Sequence, residues 1–384
     1  MKNNTVPKVI LLTALLLGTW TMALNITCAS STSNTITVPD DYETIQEAIN
    51  IASSGDTIFV KAGTYNEEWI SVNKTVSLIG DNQKSLVYYH SGLGFIVTAN
   101  DVHITGFTIT NFEELQGYAV SVANASNCVI ENNLIENNRV GISVYGYSSG
   151  NTVSGNVLEK NERSIELINA PANTISENNI TGALFSGISI DASSGNVVSQ
   201  NTISDLEDGL GALMLWMSSN NSIYRNLIFG GTLLLMVNCS NNVFSENFVL
   251  DSDYGVFVGT SSGNTFYSNY LINITELVRD TETTTGQLSE NSWDNDAKGN
   301  YWSNYAGEDV DGDGVGDSVQ VLYTNNQDNY PLMDYPEIST NPETGSQDPD
   351  SASATSALST EAVIAIIVTL IGIVAIVAVI KLKK

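Results

Sequence analysis

The chain has 384 residues, 42% of them hydrophobic and 15% charged, and 42 acidic against 14 basic residues leave a net charge of −28. Such a surface repels phosphate and excludes a nucleic-acid partner, whose binding depends on lysine and arginine contacts. It suits a solvated extracellular face or a cation-rich setting.

At the amino end, Lys2 and Lys8 precede an apolar run over residues 9–17 and then small residues, which predicts a signal peptide within residues 1–29, cleaved after Ala23 or Ala29. From Asp40 to Ala52 the apolar period becomes helical. Ile45, Ala48, Ile49 and Ala52 share one face, after an Asp cap and before Ser53-Ser54-Gly55. A short amphipathic helix there would cover the open end of a repeat array. Asp56–Val60 reads as a strand and Gly63-Thr64-Tyr65 as a turn.

One phrase then recurs about every twenty-two to twenty-five residues: Asn-x-(Val/Ile/Phe)-x-x-Asn-x-(Leu/Ile/Val). Copies begin at Asn127, Asn151, Asn173, Asn196, Asn221, Asn242 and Asn264, and the second asparagines are Asn132, Asn156, Asn178, Asn201, Asn226, Asn247 and Asn269. Weaker copies, with glycine at the bend, occupy residues 75–80 and 101–106. A unit this short cannot bury its own apolar face, so the copies must stack, and equivalent positions then form columns about 4.8 Å apart. Aliphatic columns such as Val129 with Leu134, or Ile175 with Ile180, fill a core, while asparagine amides hydrogen-bond along the axis at the bends. The predicted fold is all-β: a single-stranded parallel β-helix over residues 36–280 with a capping helix at its amino end, followed by a closing segment over residues 281–335.

The start, Ile36 to Tyr42 and on through Gly80, resembles the entry of right-handed β-helix proteins of the pectin-lyase type. The repeats, with Gly299-Asn300-Tyr301-Trp302, Asp309 to Asp317 and Asp328-Asn329-Tyr330-Pro331, resemble the NosD-like group, also described as carbohydrate-binding and sugar-hydrolase β-helix domains. The resemblance spans roughly residues 36–335 and implies a right-handed β-helix. Members include polysaccharide-active enzymes, a periplasmic protein linked to copper delivery, and many surface proteins.

Several features carry candidate chemistry. Asp309, Asp311, Asp313 and Asp317, with Gly314 and the Val315 carbonyl, match the ligand spacing of a calcium loop. Position twelve is Gln320 rather than Glu, so the expected Ca²⁺ site is weak and structural, or borrows Asp294 or Asp296. Alternation in the strands before the repeat starts puts Met214, Trp216, Leu235, Val237 and Phe257 outside, where neighbouring coils carry Ser143, Ser189 or Asp191. That apolar stripe is either a binding face, with Trp216 as a sugar platform, or is covered by the aromatic segment 293–330 folding back. Asp205, Glu207 and Asp208 follow one bend, and Asp251 and Asp253 follow the equivalent bend two coils on, with Gly230-Gly231 between. Two coils separate these acids by roughly 9–10 Å, near the spacing of an inverting glycosidase, although hydrated loop acids are the plainer account. There is no Asp-Asp pair on a strand, Gly-His-Gly or Arg-x-Lys of the kind a β-helix pectinase would use. Copper handling needs clustered soft or imidazole ligands, and Met214, Met217, Cys239, His90 and His103 do not supply them. Cys128 and Cys239 lie coils apart, too far for a disulfide, and should be buried apolar residues.

Sequons at Asn73, Asn124, Asn179, Asn220, Asn238 and Asn273 suit a glycosylated exterior. Residues 336–361, rich in Ser, Thr, Ala and Pro, read as a flexible stalk. Residues 362–380 are uncharged and long enough to span a bilayer, and the lysines of 381–384 would stay cytoplasmic. The expected protein is therefore a single-pass surface module that binds a glycan or a surface partner without catalysis. The alternatives are a polysaccharide hydrolase or lyase using the acidic bends, or a copper-handling protein.

Overall fold

The computed structural model describes residues 33–336 apart from residues 91, 112–116, 207–210, 233, 281–288 and 324; the side chains of residues 234–237 also fall outside it. The expected signal peptide, membrane span and nearly all of the stalk lie outside these residues. No helix among those described is long and apolar enough to cross a membrane.

The fold is a right-handed parallel β-solenoid. Each coil contributes to three faces. On face A, three-residue strands such as Thr152–Ser154, Thr174–Ser176 and Val197–Ser199 stack in an eleven-stranded parallel sheet. Face B follows with Val157–Glu159, Asn179–Thr181 and Thr202–Ser204. Face C carries the longer strands Tyr118–Ala123, Val140–Tyr145, Arg163–Ile168, Ser186–Asp191, Leu213–Trp216 and Leu234–Val237. Late in the chain, Phe248–Val258 and Tyr270–Asp280 run straight through the B-to-C corner and join those faces into one sheet.

A three-residue strand points one side chain inward and two outward, which is why the repeat needs a single aliphatic per short strand. On face A that column is Ile130, Val153, Ile175, Val198, Ile223, Phe244 and Phe266, all buried. Between faces the chain turns through residues of positive φ, and behind those turns stand the asparagine ladders. Asn201 shows the scheme. Its main-chain N–H and Nδ2 both donate to Asn226 Oδ1, at 3.1 and 2.9 Å, and Nδ2 also donates to the Ile175 and Ser199 carbonyls. The same pattern runs from Asn133 through Asn156, Asn178, Asn201, Asn226, Asn247 and Asn269 to Asn300. Buried amides thus satisfy the main chain where it leaves the β-ladder.

The first copy is offset by one residue from the expected phrase. Asn127 and Asn132 are exposed turn residues with φ of 59° and 55°, and Cys128 and Asn133 occupy the buried columns. Accordingly Ile130 and Ile135, not Val129 and Leu134, point inward. A one-residue shift exchanges the faces, and Asn132-Asn133 satisfies the written pattern at either position. Gly63–Tyr65 is a strand rather than a turn. The helix, Ile45–Ile51, buries Ile45, Ala48 and Ile49, but its cap is Thr44 in a capping box with Glu47, not an aspartate. Cys128 and Cys239 are buried thiols outside any disulfide, as expected.

Among the described residues the closing segment does not fold back over the apolar stripe. Trp293 stacks on Phe266 and Phe266 on Phe244, with centroids 4.5 and 4.7 Å apart, so the aromatics continue the core column and plug its open end. Trp293 and Trp302 are buried, while Trp216 stays 44% exposed. The ladder ends on Asp328, which accepts from Asn300 N at 2.6 Å, Trp302 Nε1 at 2.8 Å and Tyr330 N at 3.0 Å.

Candidate functional site

Face C departs from simple alternation. Its outward column runs Ile96, Ser121, Ser143, Glu166, Ser189, Met214, Leu235, Phe257 and Arg279 in register. A second column runs Ala123, Tyr145, Ile168, Asp191, Trp216 and Val237. Ser121, Ser143 and Glu166 occupy outward positions, yet they are 2%, 1% and 7% exposed. They lie in a groove of about 330 Å³ that is also lined by Leu93, Tyr118, Tyr145 and Ile168.

In that groove Ser143 Oγ donates to Glu166 Oε1 at 2.9 Å. Burial pushes the Glu166 carboxyl above its ordinary range. The Ser143 hydrogen bond and the charges of Arg163 and Arg139 oppose the shift, and Asp191 adds to it. Asp191, one coil on and two residues along, is likewise raised by burial, and its Oδ1 is buried without a hydrogen-bond partner. At β spacing the two backbones are about 8 Å apart. Arg163 is spent on Glu162 and on the Phe185 ring, 4.3 Å from its guanidinium carbon. The groove therefore offers two hydroxyls, two phenols and one carboxyl, with the Asp191 carboxyl one coil on, against aromatic and aliphatic walls. That is the mixture a polyol needs: several oriented hydrogen bonds beside flat apolar surface.

The expected site residues distribute as follows. Met214 and Phe257 are half-buried and Trp216 is exposed, all in the columns that continue the groove; Leu235 and Val237 share those columns by register, but their side chains lie outside the description. Asp205 and Asp251 do share the B-to-C corner two coils apart, with Gly230 between them. Both are exposed and engaged: Thr181 Oγ1 donates to Asp205 and Asn273 Nδ2 to Asp251. Asp253 is exposed, and Glu207 and Asp208 lie outside the described residues. The residues that sequence reasoning passed over are Ser121, Ser143, Glu166 and Asp191. Their signal is a run of small polar groups at one register position, visible once the coils are aligned.

The acidic loop gathers Asp309, Asp311 and Asp313, with ligand oxygens within 4.8 Å of one another. The Gly314 amide, followed by those of Gly312 and Asp313, holds the Asp309 carboxyl low against some desolvation. The Asp313 amide draws Asp311 down, but repulsion from Asp313, desolvation, and repulsion from Asp317 and Asp309 outweigh it and leave it raised. Asp317 Oδ2 accepts from Val310 N, and Val315 N donates to Asp313 Oδ1. Asp294 is taken by Asn329 and by the Asp296 amide. Three carboxylates form a hard-oxygen set that fits calcium and not copper. Among the described residues soft donors do not converge: Cys128 and Cys239 lie in the core and His103 Nε2 sits 3.0 Å from Glu131 Oε1. A copper centre does not fit them.

Known proteins agree with this architecture. The chain is 27% identical over 314 residues to a cell surface glycoprotein of Methanothermus fervidus, an alignment covering 68% of this chain and 51% of that protein. The chain thus spans about half the length of this relative. Among solved structures, XylC in complex with xylose superposes with a TM-score of 0.57 at 10% identity, covering 67% of this chain and 71% of the other. A mannuronic acid specific polysaccharide family 6 lyase from human gut microbiota gives 0.55 at 13%, covering 70% and 74%. At such identities the likeness is one of fold. The model of the periplasmic copper-binding protein NosD matches residues 49–236 and 231–307, most of the solenoid, and this chain belongs to the NosD family.

Proposed function

We propose that this is a cell-surface module that binds a glycan along face C without cleaving it. The observation that carries the reading is the buried Ser121–Ser143–Glu166 column beneath Tyr118 and Tyr145. Oriented hydroxyl and carboxyl groups beside aromatic walls match the two surfaces of a sugar ring. Trp216, exposed on the same face, extends the path along the axis and is the natural second stacking platform. The cell surface glycoprotein relative supports an extracellular setting, and the surface-bound topology rests on residues 362–380 as anchor and 336–361 as stalk. In this reading Ca²⁺ at Asp309, Asp311 and Asp313 orders the closing segment.

Glycan-array binding of the ectodomain, with reducing-end release measured on the same panel, tests the proposal. Tyr145→Ala is expected to weaken binding about tenfold, which is about 1.4 kcal/mol, whereas Asp205→Asn and Asp251→Asn leave it unchanged. Release of reducing ends by the wild type that Glu166→Gln abolishes would replace binding by hydrolysis.

A further inference from the structure

Among the described residues six asparagines carry the Asn-x-Ser/Thr spacing, at positions 73, 124, 179, 220, 238 and 273. All six are exposed. The ladder asparagines are buried and none carries the sequon, because the second residue after each one heads inward or begins the next strand: Val153 after Asn151, Ile203 after Asn201, Phe266 after Asn264. The coil geometry thus sorts the asparagines into a structural set and a modifiable set.

Four of the six gather at one corner, while Asn179 starts a face B strand. Asn73 follows the strand Ile70–Val72, Asn124 follows Tyr118–Ala123, Asn238 follows Leu234–Val237, and Asn220 lies two residues before the start of the face A strand Ser222–Tyr224. All four stand in the corner where face C passes the chain to face A. Asn124 and Asn238 have φ of 51° and 52° and Asn220 has 58°, but the coils between use Ala192 and Met217 at the bend of Asn124 and Asn238, and Gly150, Ala172 and Gly195 at the bend of Asn220, so the backbone does not demand asparagine there. Asn238 accepts from Thr260 Oγ1 on its Oδ1 at 2.7 Å, a bond that does not use its Nδ2. Asn273, in the other corner, donates its Nδ2 to Asp251 at 3.0 Å.

We propose that Asn73, Asn124, Asn220 and Asn238 are N-glycosylated and form a row of glycans along the C-to-A corner, beside a face C that carries none. In the transfer, each Nδ2 attacks the anomeric carbon of an oligosaccharide carried on a polyisoprenoid lipid phosphate. The C–N bond forms as the C–O bond to phosphate breaks; the lipid phosphate leaves with the bonding pair, and the amide proton passes to the transferase. The hydroxyl two residues on is the recognition element: Thr75, Ser126, Ser222 and Ser240. A glycosylated ridge next to a bare groove keeps the solenoid solvated on one flank and leaves the ligand face open.

The inference rests on the export reading above, so the test begins with protein labelled on intact cells of the native host or a glycosylating relative. Glycopeptide mass spectrometry on that labelled protein is expected to find hexose-containing additions on all four asparagines. Asn→Gln at the four positions in turn is expected to give four stepwise mobility shifts, with the ladder residue Asn196 unmodified throughout. Surface-labelled protein whose Asn124 and Asn238 peptides are wholly unmodified overturns this inference and leaves the surface reading standing. Protein that is never labelled from outside overturns the surface reading, and this inference with it.

Discussion

Asn201 donates three hydrogen bonds from its side-chain amide, to two carbonyls and to the next rung, adds a fourth to that rung from its main-chain N–H, and receives the equivalent pair from Asn178 on its Oδ1. Leucine at this position would fit the volume but strand both carbonyls and the Asn178 donors. Asn201→Leu is expected to cost on the order of 1–3 kcal/mol in urea unfolding, whereas Asn179→Leu, one residue off the ladder on an exposed strand position, is expected to stay within about 0.5 kcal/mol. Equal losses at the two positions would show that the amide row is not what holds the coil. The far end of that row behaves differently. Asp328 is fully buried and burial lifts its carboxyl to about 6, against the pull of the Asn300 amide, the Trp302 indole and the Tyr330 amide. Its folded value thus lies above the unfolded one of 3.8. The native state holds the proton more tightly, so this contribution is complete below pH 3.8 and disappears as pH rises through 6. The shift is worth about 3 kcal/mol at most. Asp328→Asn is expected to flatten the fall in stability between pH 4 and 6, measured by chemical unfolding at several pH values. An unchanged slope would assign that dependence to other carboxyls.

At the scale of the strand and the loop, the groove depends on a carboxyl whose neutral form burial favours. Burial, first of all, raises Glu166, so its neutral form can donate to a sugar hydroxyl over a wider range than an exposed glutamate could. Wild-type glycan affinity should therefore fall as pH rises past the titration of Glu166, while Glu166→Gln, always a donor, keeps a flat profile; parallel profiles would remove Glu166 from recognition. Much of this site was hidden in the sequence. Alternation placed Ser143 outward correctly, Glu166 follows it one coil on in the same column, and outward polar residues ordinarily meet water. That they are buried there is a property of neighbouring coils, which no single strand reveals. The apolar continuation through Met214 and Trp216 was legible because large apolar groups break the expected polarity. The acidic loop was legible too, since its spacing alone brings Asp309, Asp311 and Asp313 together. Calcium at millimolar concentration is expected to raise the melting temperature of the ectodomain, and Asp311→Asn to abolish that rise. Calorimetry with neither heat nor shift would leave the loop a hydrated turn.

Across the whole molecule, the fold was readable because repetition multiplies a weak signal: one buried aliphatic per short strand means little, but the same residue in seven successive coils specifies a column. The reading slipped where the repeat is degenerate, at Asn132-Asn133, and where a glycine bend hides a strand, at Gly63–Tyr65. Stacking has an electrostatic consequence as well. A parallel register places equivalent side chains of successive coils about 4.8 Å apart, so Glu136 and Glu159 face each other on the outside of face B. With a net charge of −28 and only four lysine or arginine ion pairs among the described residues, such repulsion is largely uncompensated. Salt shortens the screening length from about 10 Å at 0.1 M to about 3 Å at 1 M, which is shorter than one coil. Raising NaCl from 0.05 to 1 M in chelator is therefore expected to raise the melting temperature by several degrees. Glu159→Gln is expected to stabilise the protein by a few tenths of a kcal/mol at low salt, with the gain shrinking as salt increases. If the melting temperature ignores salt, or Glu159→Gln gains the same at both concentrations, self-repulsion does not load the solenoid, and its acidity acts on solubility and partners alone.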